Sequence, residues 1–348
     1  MKIKHIYCFS YFHLFSPSVR YRAKYPLELF KEKYSIDFSF VFPGYQPANI
    51  LHFIRVYISA LLFRKKDSVI IIERVYTNFI YSFALKILVL FQKKNTLYDL
   101  DDAEYFDHSP FTINYFLKKC QSCSAGSREV KKYAEQYNSD TFILTSPVLS
   151  HDITKVERNS IFTIGWIGDF GGSHRESMYT LLFPALKEVD FPVKLIILGV
   201  RQQKHTEEIN AYFRGNKNIT VSIPDDIDWQ DELAVYQRIK EFDIGVCPLI
   251  DNEITRAKSA FKIKQYFSSG VPALASNIGE NAQFLQHSFN GYLCQNIEDY
   301  KKMIFEFKNM SNEKYRQLSS NAKKTVYKFD IDSYCTSILK HYENIKPE

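Results

Sequence analysis

The sequence predicts two doubly wound α/β domains in tandem. Three observations carry this. Short apolar, β-branched runs alternate with amphipathic helical stretches along the whole chain. The length, 348 residues, suits two domains of about 150 residues each better than one core. The polar stretch SHDITKVERNS, Ser150 to Ser160, has no periodicity, and the alternation restarts after it. The expected layout is an N-terminal domain over 1–150, a linker over 151–160, a second domain over 161–325 and a C-terminal helix over 326–348 that returns to the first domain.

In the first half, Lys4–Ser10 reads as a strand, followed by a polar loop and a helix from about Tyr21 to Lys33. Ile36–Phe42 is a strand stopped by Pro43-Gly44, and a helix covers Ile50–Phe63. Strand Ser68–Ile72 leads to helix Asn78–Phe91, and strand Asn95–Leu100 ends in Asp101-Asp102. Cys120–Ala125 is a short strand, Arg128–Tyr137 a helix and Thr141–Thr145 a strand. In the second half the strands are Phe162–Ile167, Val193–Leu198, Ile219–Ile223, Ile244–Pro248, Ala273–Ser276 and Tyr292–Cys294. The helices between them are Ser177–Val189, Glu207–Arg214, Gln230–Ile239, Ala260–Phe267 and Ala282–Gln286. From about Asp299 the chain reads as helical to its end.

Bulk composition excludes several classes. Hydrophobic residues are 45% and charged residues 24%, an ordinary globular balance. A net charge of +6, dispersed and without a basic stripe, does not suit nucleic acid; it suits phosphate-bearing ligands or an anionic membrane surface. Six cysteines include one close pair, Cys120 and Cys123, which alone is weak for zinc and reads as two incidental thiols. No disulfide framework is visible, so a reducing compartment is expected. The N-terminal stretch reads as a strand rather than a signal peptide. The most apolar region, Val69 to Phe91, contains Glu73, Arg74, Asn78 and Lys86, against a membrane span. Its helix is expected either to be buried or to touch a membrane.

Open parallel sheets bind ligands beyond the carboxyl ends of their strands, so the candidate residues follow strands. Arg20 and Arg22 open a helix, where cations are disfavoured unless an anion or an acidic partner offsets them. Asp101 and Asp102 are adjacent carboxylates at a strand end. They suit a metal, a base or sugar hydroxyls, or else a helix cap and turn. Asp99 and Asp101 share a side of the strand if it continues, with Asp102 opposite. WIGDFGGSHRE, Trp166 to Glu176, does not fit GxGxxG. Its Gly-Gly-Ser before a helix can still present N–H groups to phosphate. Lys258 and Lys262 are four apart at a helix start and face one spot if both are helical, or else are solvated. Ser268-Ser269-Gly270 closes that helix, and Pro272 opens the next strand.

These stretches, FDIGVCPLIDN, RAKSAFKIKQYFSSGVPALAS and GEN, resemble the donor-binding core of GT-B-fold glycosyltransferases. They are most similar to family 4, the retaining "glycosyl transferases group 1", in a bacterial subgroup with a GKxxxKxxQY-like signature. Lys258, Lys262, Gln265, Tyr266, Gly270, Pro272, Ala275, Ser276, Gly279 and Asn281 match that signature. Ile164–Phe170, Tyr98–Ala103 and Pro17–Arg22 match other parts of the same subgroup in the right order. The resemblance implies two Rossmann-like domains facing across a cleft. It implies retaining transfer from a nucleotide-diphosphate sugar to a glycan or lipid-linked acceptor, of hexosyltransferase type, with no metal required. The setting it implies is bacterial surface polysaccharide synthesis, such as O-antigen or capsule.

By the same resemblance, Lys258 and Lys262 stabilise the leaving diphosphate, with Arg175 from the glycine loop. Gly168, Gly171, Gly172, Ser173, Asp251, Glu253, Gln265, Gly279, Glu280 and Asn281 contribute to donor binding. Asp101 and Asp102 lie near the acceptor, and Arg20 and Arg22 on an acceptor or phosphate side. The sequence departs from the family where two glutamates eight apart are usual: Ala257 and Gln265 stand there. Asp251 or Glu253 can substitute for the first, and Gln265 can hold a ribose hydroxyl without charge assistance. The alternatives are a nucleotide-sugar 2-epimerase and a catalytically impaired sugar-nucleotide-binding relative. The expected location is cytoplasmic, with Arg55, Arg64, Lys65 and Lys66 on a face that docks peripherally on the inner plasma membrane or is simply a soluble basic face.

Overall fold

A computed structural model describes residues 3–44, 46–75 and 78–343. The chain forms two compact units. Unit 1 holds the described residues up to Pro147, the short stretch Ala257–Ser259, and the described residues from Phe329 on; unit 2 holds Val148–Arg256 and Ala260–Lys328.

Unit 1 is built on β1 (His5–Ser10), β2 (Asp37–Val41), β3 (Ser68–Glu73), β4 (Thr96–Leu100), β5 (Ser122–Ala125) and β6 (Thr141–Ile143). They form one parallel sheet in the order β2-β1-β3-β4-β5-β6. Strands β1, β3, β4 and β5 are buried along their whole length, as continuous apolar runs covered on both faces should be. The closing helix Ile331–Glu343 packs on this unit: Tyr34 Oη donates to Asp332 Oδ1 at 2.8 Å, and the Tyr334 hydroxyl donates to Arg22 O at 3.3 Å. The expected helix runs on past 343, outside the described residues.

Unit 2 is built on β7 (Phe162–Ile167), β8 (Val193–Leu198), β9 (Ile219–Ser222), β10 (Ile244–Cys247), β11 (Ala273–Ser276) and β12 (Gly291–Cys294). The parallel order β12-β11-β10-β7-β8-β9 is the Rossmann order, with its reversal between β7 and β10. Tyr266 joins that pair. Its hydroxyl donates to Val246 O at 2.9 Å and accepts from Ile167 N at 3.3 Å. Its ring occupies the space a Cβ on Gly245 would need, at 2.3 Å.

Three differences from the sequence reading stand out. The stretch 151–160 is not a free linker but part of unit 2. Lys155 is buried there, 3.3 Å from the fully buried Asp243, whose oxygens also accept from Asn159 N and Thr163 N. A charge as deep as Asp243 needs such partners. Helix Pro110–Lys119 was not expected, although Ile113, Phe116 and Leu117 form its buried stripe. The C-terminal region is three helices, Ile297–Asn309, Asn312–Val326 and Ile331–Glu343. All six cysteines are buried and free.

Candidate active site

Unit 2 has its topological reversal at the carboxyl ends of β7 and β10. Just beyond β7, Gly168 adopts φ +149°, and a Cβ there would lie 2.6 Å from Lys262 Cε. Backbone in this region favours glycine, and here it also makes room for the lysine. Gly171 caps the helix that starts at Gly172. Nothing lies within 4 Å of a Cβ placed on either residue, so this backbone is open to an approaching ligand.

Lys262 sits in the first turn of helix Phe261–Ser268. Its Nζ lies 3.0 Å from His174 Nε2 and 5.3 Å from the Trp166 ring centroid. An ammonium only donates, so Nε2 accepts and the His174 ring is neutral in this contact. The lysine thus stands at the glycine loop with a neutral hydrogen-bond partner and an aromatic face. His174 was not among the residues expected from sequence. Its signal was available, since it lies inside the quoted loop, but its partner is 88 residues away.

Several expected donor residues are engaged elsewhere. Arg175 Nη2 is 2.8 Å from Glu208 Oε2, and its guanidinium lies over Tyr179. The Arg175 guanidinium holds the Glu208 carboxyl below its usual range. Asp251 is gripped by Nε and Nη2 of Arg256 on the surface, which lowers its pKa. Glu253 is exposed at the start of the short helix Glu253–Arg256. Gln265 is buried on the helix that carries Lys262. Gly279 takes φ +50° with Arg256 O 2.4 Å from a would-be Cβ. Glu280 and Asn281 are buried, and Asn281 Nδ2 reaches Cys247 O at 3.4 Å, tying this loop to β10. Ser173 is half-buried, its carbonyl accepting from Ser177 Oγ.

The two lysines do not share a helical face. Ala260 takes the left-handed conformation, φ +53°, as the cap of the helix, so Lys258 precedes the helix altogether. It groups with unit 1, where its Nζ is 3.9 Å from Asp102 Oδ1. Ala257 is buried in the unit 1 core, so the position of the missing glutamate is filled by packing.

In unit 1 the carboxyl end of the sheet is a network of charges. Arg22, 1% exposed at its side chain, donates Nε to Asp99 Oδ2 at 2.7 Å and Nη2 to Asp99 Oδ1. Its Nη1 reaches Leu144 O at 2.8 Å, Ser146 Oγ at 3.2 Å and Asp101 Oδ1 at 3.1 Å. The reading of Arg22 as an acceptor-side or phosphate-side ligand is therefore corrected: its donors are consumed by its own unit. Arg20 is buried beside it in a π-helical turn, Arg20–Lys24, not at an exposed helix start. Asp99 and Asp101 do share a side, and both meet Arg22.

Arg74, unassigned from sequence, gathers Asp101 (3.4 Å), Asp102 (3.7 Å) and the buried Glu104 (3.3 Å). Of these carboxylates Asp102 is the partly exposed one. At the end of β3, Glu73 is buried with no partner for Oε1 among the described residues. Burial, with Asp99 beside it in β4, pushes its pKa up to about 8.

Two six-stranded parallel sheets in tandem, each covered by helices, are the GT-B architecture. Residues 161–307, within unit 2, match the family model of the glycosyl transferases group 1, and the protein is a glycosyltransferase. Three solved structures are similar over the full chain. HepE from Anabaena, solved with UDP-glucose, has a TM-score of 0.67 at 13% identity, covering 98% of this chain and 100% of that one. The lipopolysaccharide outer core galactosyltransferase WaaB, in its apo form, has a TM-score of 0.65 at 14% identity, covering 98% of each. A glycosyltransferase from Rickettsia africae has a TM-score of 0.68 at 13% identity, covering 100% of each. At these identities the likeness is one of fold. Among curated proteins, no sequence matches this chain.

Proposed function

We propose that this protein transfers a hexose, with retention of configuration, from a nucleotide-diphosphate sugar to a glycan or lipid-linked acceptor in bacterial surface polysaccharide synthesis. The observation that carries the reading is the ammonium of Lys262 against Gly168 and His174 of the glycine loop, within the stretch that matches the family model. HepE, similar in fold, was solved with UDP-glucose, and WaaB is a lipopolysaccharide galactosyltransferase by name.

In this reading the donor diphosphate lies on the N–H groups that begin at Gly172, since Gly171 N already donates to Asp169 O at 3.0 Å. Lys262 donates to it in place of His174 Nε2 and stabilises the charge that grows as the glycosidic bond breaks. The cation is a side chain, so no divalent metal is required. The acceptor hydroxyl enters on the face the diphosphate leaves, which retains the anomeric configuration. Asp102 and Lys258 are the half-exposed polar groups that unit 1 offers to an acceptor; Asp101 acts by holding Arg22 and Arg74. The protein works on the cytoplasmic side, where nucleotide sugars are available.

Thermal shift of the purified protein against UDP, GDP, dTDP and CMP, each with its common sugar conjugates and with NAD as control, tests the donor site. Selective stabilisation by one nucleoside diphosphate, lost in Lys262→Ala, is expected and names the base. No response to any nucleotide would overturn the assignment. Turnover in excess chelator and the anomeric coupling of the product by NMR then test the metal independence and the retention.

A further inference from the structure

Two neighbouring helices of unit 1, Pro47–Leu62 and Phe79–Phe91, bury one face each and leave an apolar face outward. They are fastened side by side: Tyr57 Oη donates to Ala84 O at 2.9 Å and Gln92 Nε2 to Leu61 O at 2.7 Å. Inward go Val56 and Ala60 from the first, and Leu85 and Leu88 from the second. Outward from the first go Leu51, Ile54, Ile58 and Leu62, spaced three, four and four apart, so they line one stripe. Outward from the second go Ile80, Phe83 and Leu90, with Phe79 stacked on Phe83 and 83% exposed. Ordinary surface helices put charges there; a contiguous apolar face of this kind marks an interaction site.

The charge around the face is mostly basic. Neither helix contains an acidic residue, and their charged residues are Arg55 and Lys86. The loops that leave them carry Arg64-Lys65-Lys66 and Lys93-Lys94, with the lysines exposed. The one acid there, Asp67, is 3.4 Å from Lys4. Arg64 has a structural task, donating to Ser68 O at 2.9 Å and to Lys94 O at 2.6 Å, which holds the two basic loops together.

We propose that this face docks on an anionic lipid bilayer, the apolar stripes entering the headgroup–acyl boundary and the lysines meeting lipid phosphates. Two copies meeting through the same face would bring like-charged rims together, whereas an anionic bilayer complements both the apolar stripe and the rim. Among the described residues no helix is long and apolar enough to cross a membrane, so the contact is peripheral. The inference goes beyond the donor site and stands if the acceptor assignment fails.

Co-sedimentation of the full chain with vesicles tests it, using phosphatidylcholine alone against equal parts phosphatidylcholine and phosphatidylglycerol. The wild type is expected to sediment with the anionic vesicles and to be released by salt. Lys65→Glu with Lys66→Glu should weaken binding about tenfold or more, and Ile80→Asp with Phe83→Asp should abolish it. Both variants should keep the wild-type melting curve and nucleotide response, which separates this failure from loss of the donor site. Absence of vesicle binding by the wild type would overturn the proposal, as would binding undiminished in both variants. A dimer in light scattering that dissociates in Ile80→Asp with Phe83→Asp, without vesicle binding, would assign the face to a second copy instead.

Discussion

The carboxyl ends of the two sheets use charge in opposite ways. In unit 1 the residues after the strands neutralise one another: Arg22 is spent on Asp99 and Asp101, and Arg74 on Asp101, Asp102 and Glu104. In unit 2 the corresponding ion pairs, Arg175 with Glu208 and Asp251 with Arg256, are part-exposed or on the surface, and the loop after β7 sets glycines and an imidazole against Lys262. Both units run a π-helical turn in the first helix after the opening strand, Arg20–Lys24 and Met178–Leu182, so the contrast is one of side chains on related backbones. A network satisfied from within holds a shape; a lysine set on a glycine loop beside an imidazole suits an anion in the proposed reading. That difference is why the proposed reading puts the phosphate on unit 2.

The largest effect should come from breaking the closed network. Arg22→Ala leaves Asp99 buried without its cation, and removing one partner of a buried pair costs about 3–5 kcal/mol. A denaturant titration should show that loss, or no folded protein at all. Stability within 1 kcal/mol of wild type would mean that the network is not closed.

Next is the open side. Lys262→Ala should lower kcat/KM by about 10²–10³-fold while the melting temperature stays near wild type, as for loss of one preorganised donor to a developing charge. A comparable fall in melting temperature would make Lys262 a structural residue and erase the contrast.

Glu73 sharpens the comparison through pH. Its folded pKa, about 8, is raised above the ordinary carboxyl value of 4.5 by burial and by Asp99. Between those values the folded state keeps a proton that the unfolded chain has lost. The stabilising contribution is full below about 4.5 and is lost as pH rises to about 8, with a slope near 1.4 kcal/mol per pH unit at most. Glu73→Gln should flatten that slope in stability measured from pH 5 to 8. A slope unchanged by the substitution would place the titrating group elsewhere.

How legible this was depended on range. Strands β7, β8 and β11 could be read to the residue, because a short, mostly apolar run bounded by turns is a local signal. Helix Pro110–Lys119 was equally local, through Ile113, Phe116 and Leu117, but its Phe- and Tyr-rich composition hides the period. Asp99 in TLYDL looks like any polar strand residue until Arg22 arrives from 77 positions away. Lys155 reads as solvated linker for the same reason, since Asp243 is far along the chain. The condition set on Lys258 and Lys262, that both be helical, is not met, because one left-handed residue, Ala260, gives no sequence warning when it is not glycine. The outward apolar stripes of unit 1 were visible only as hydrophobicity; which face is solvated is a tertiary fact.

The smallest expected effect concerns the carboxylate that unit 2 keeps on its surface. Ala257 stands where the family usually has a glutamate, and Asp251 is the first acid on the loop after β10, already held by Arg256. If that exposed pair is only structural, Asp251→Asn should cost about 0.2–1 kcal/mol and leave kcat/KM within about twofold. A drop beyond tenfold at an unchanged melting temperature would show that Asp251 leaves Arg256 for the sugar when donor binds. Arg256→Ala separates the cases further, since freeing Asp251 would then preserve or raise activity, whereas a structural pair would lose the same small stability from either side. In that event the open end of unit 2 would hold a mobile acid as well as a fixed base, and its difference from unit 1 would lie in which charges can exchange partners rather than in which signs are present.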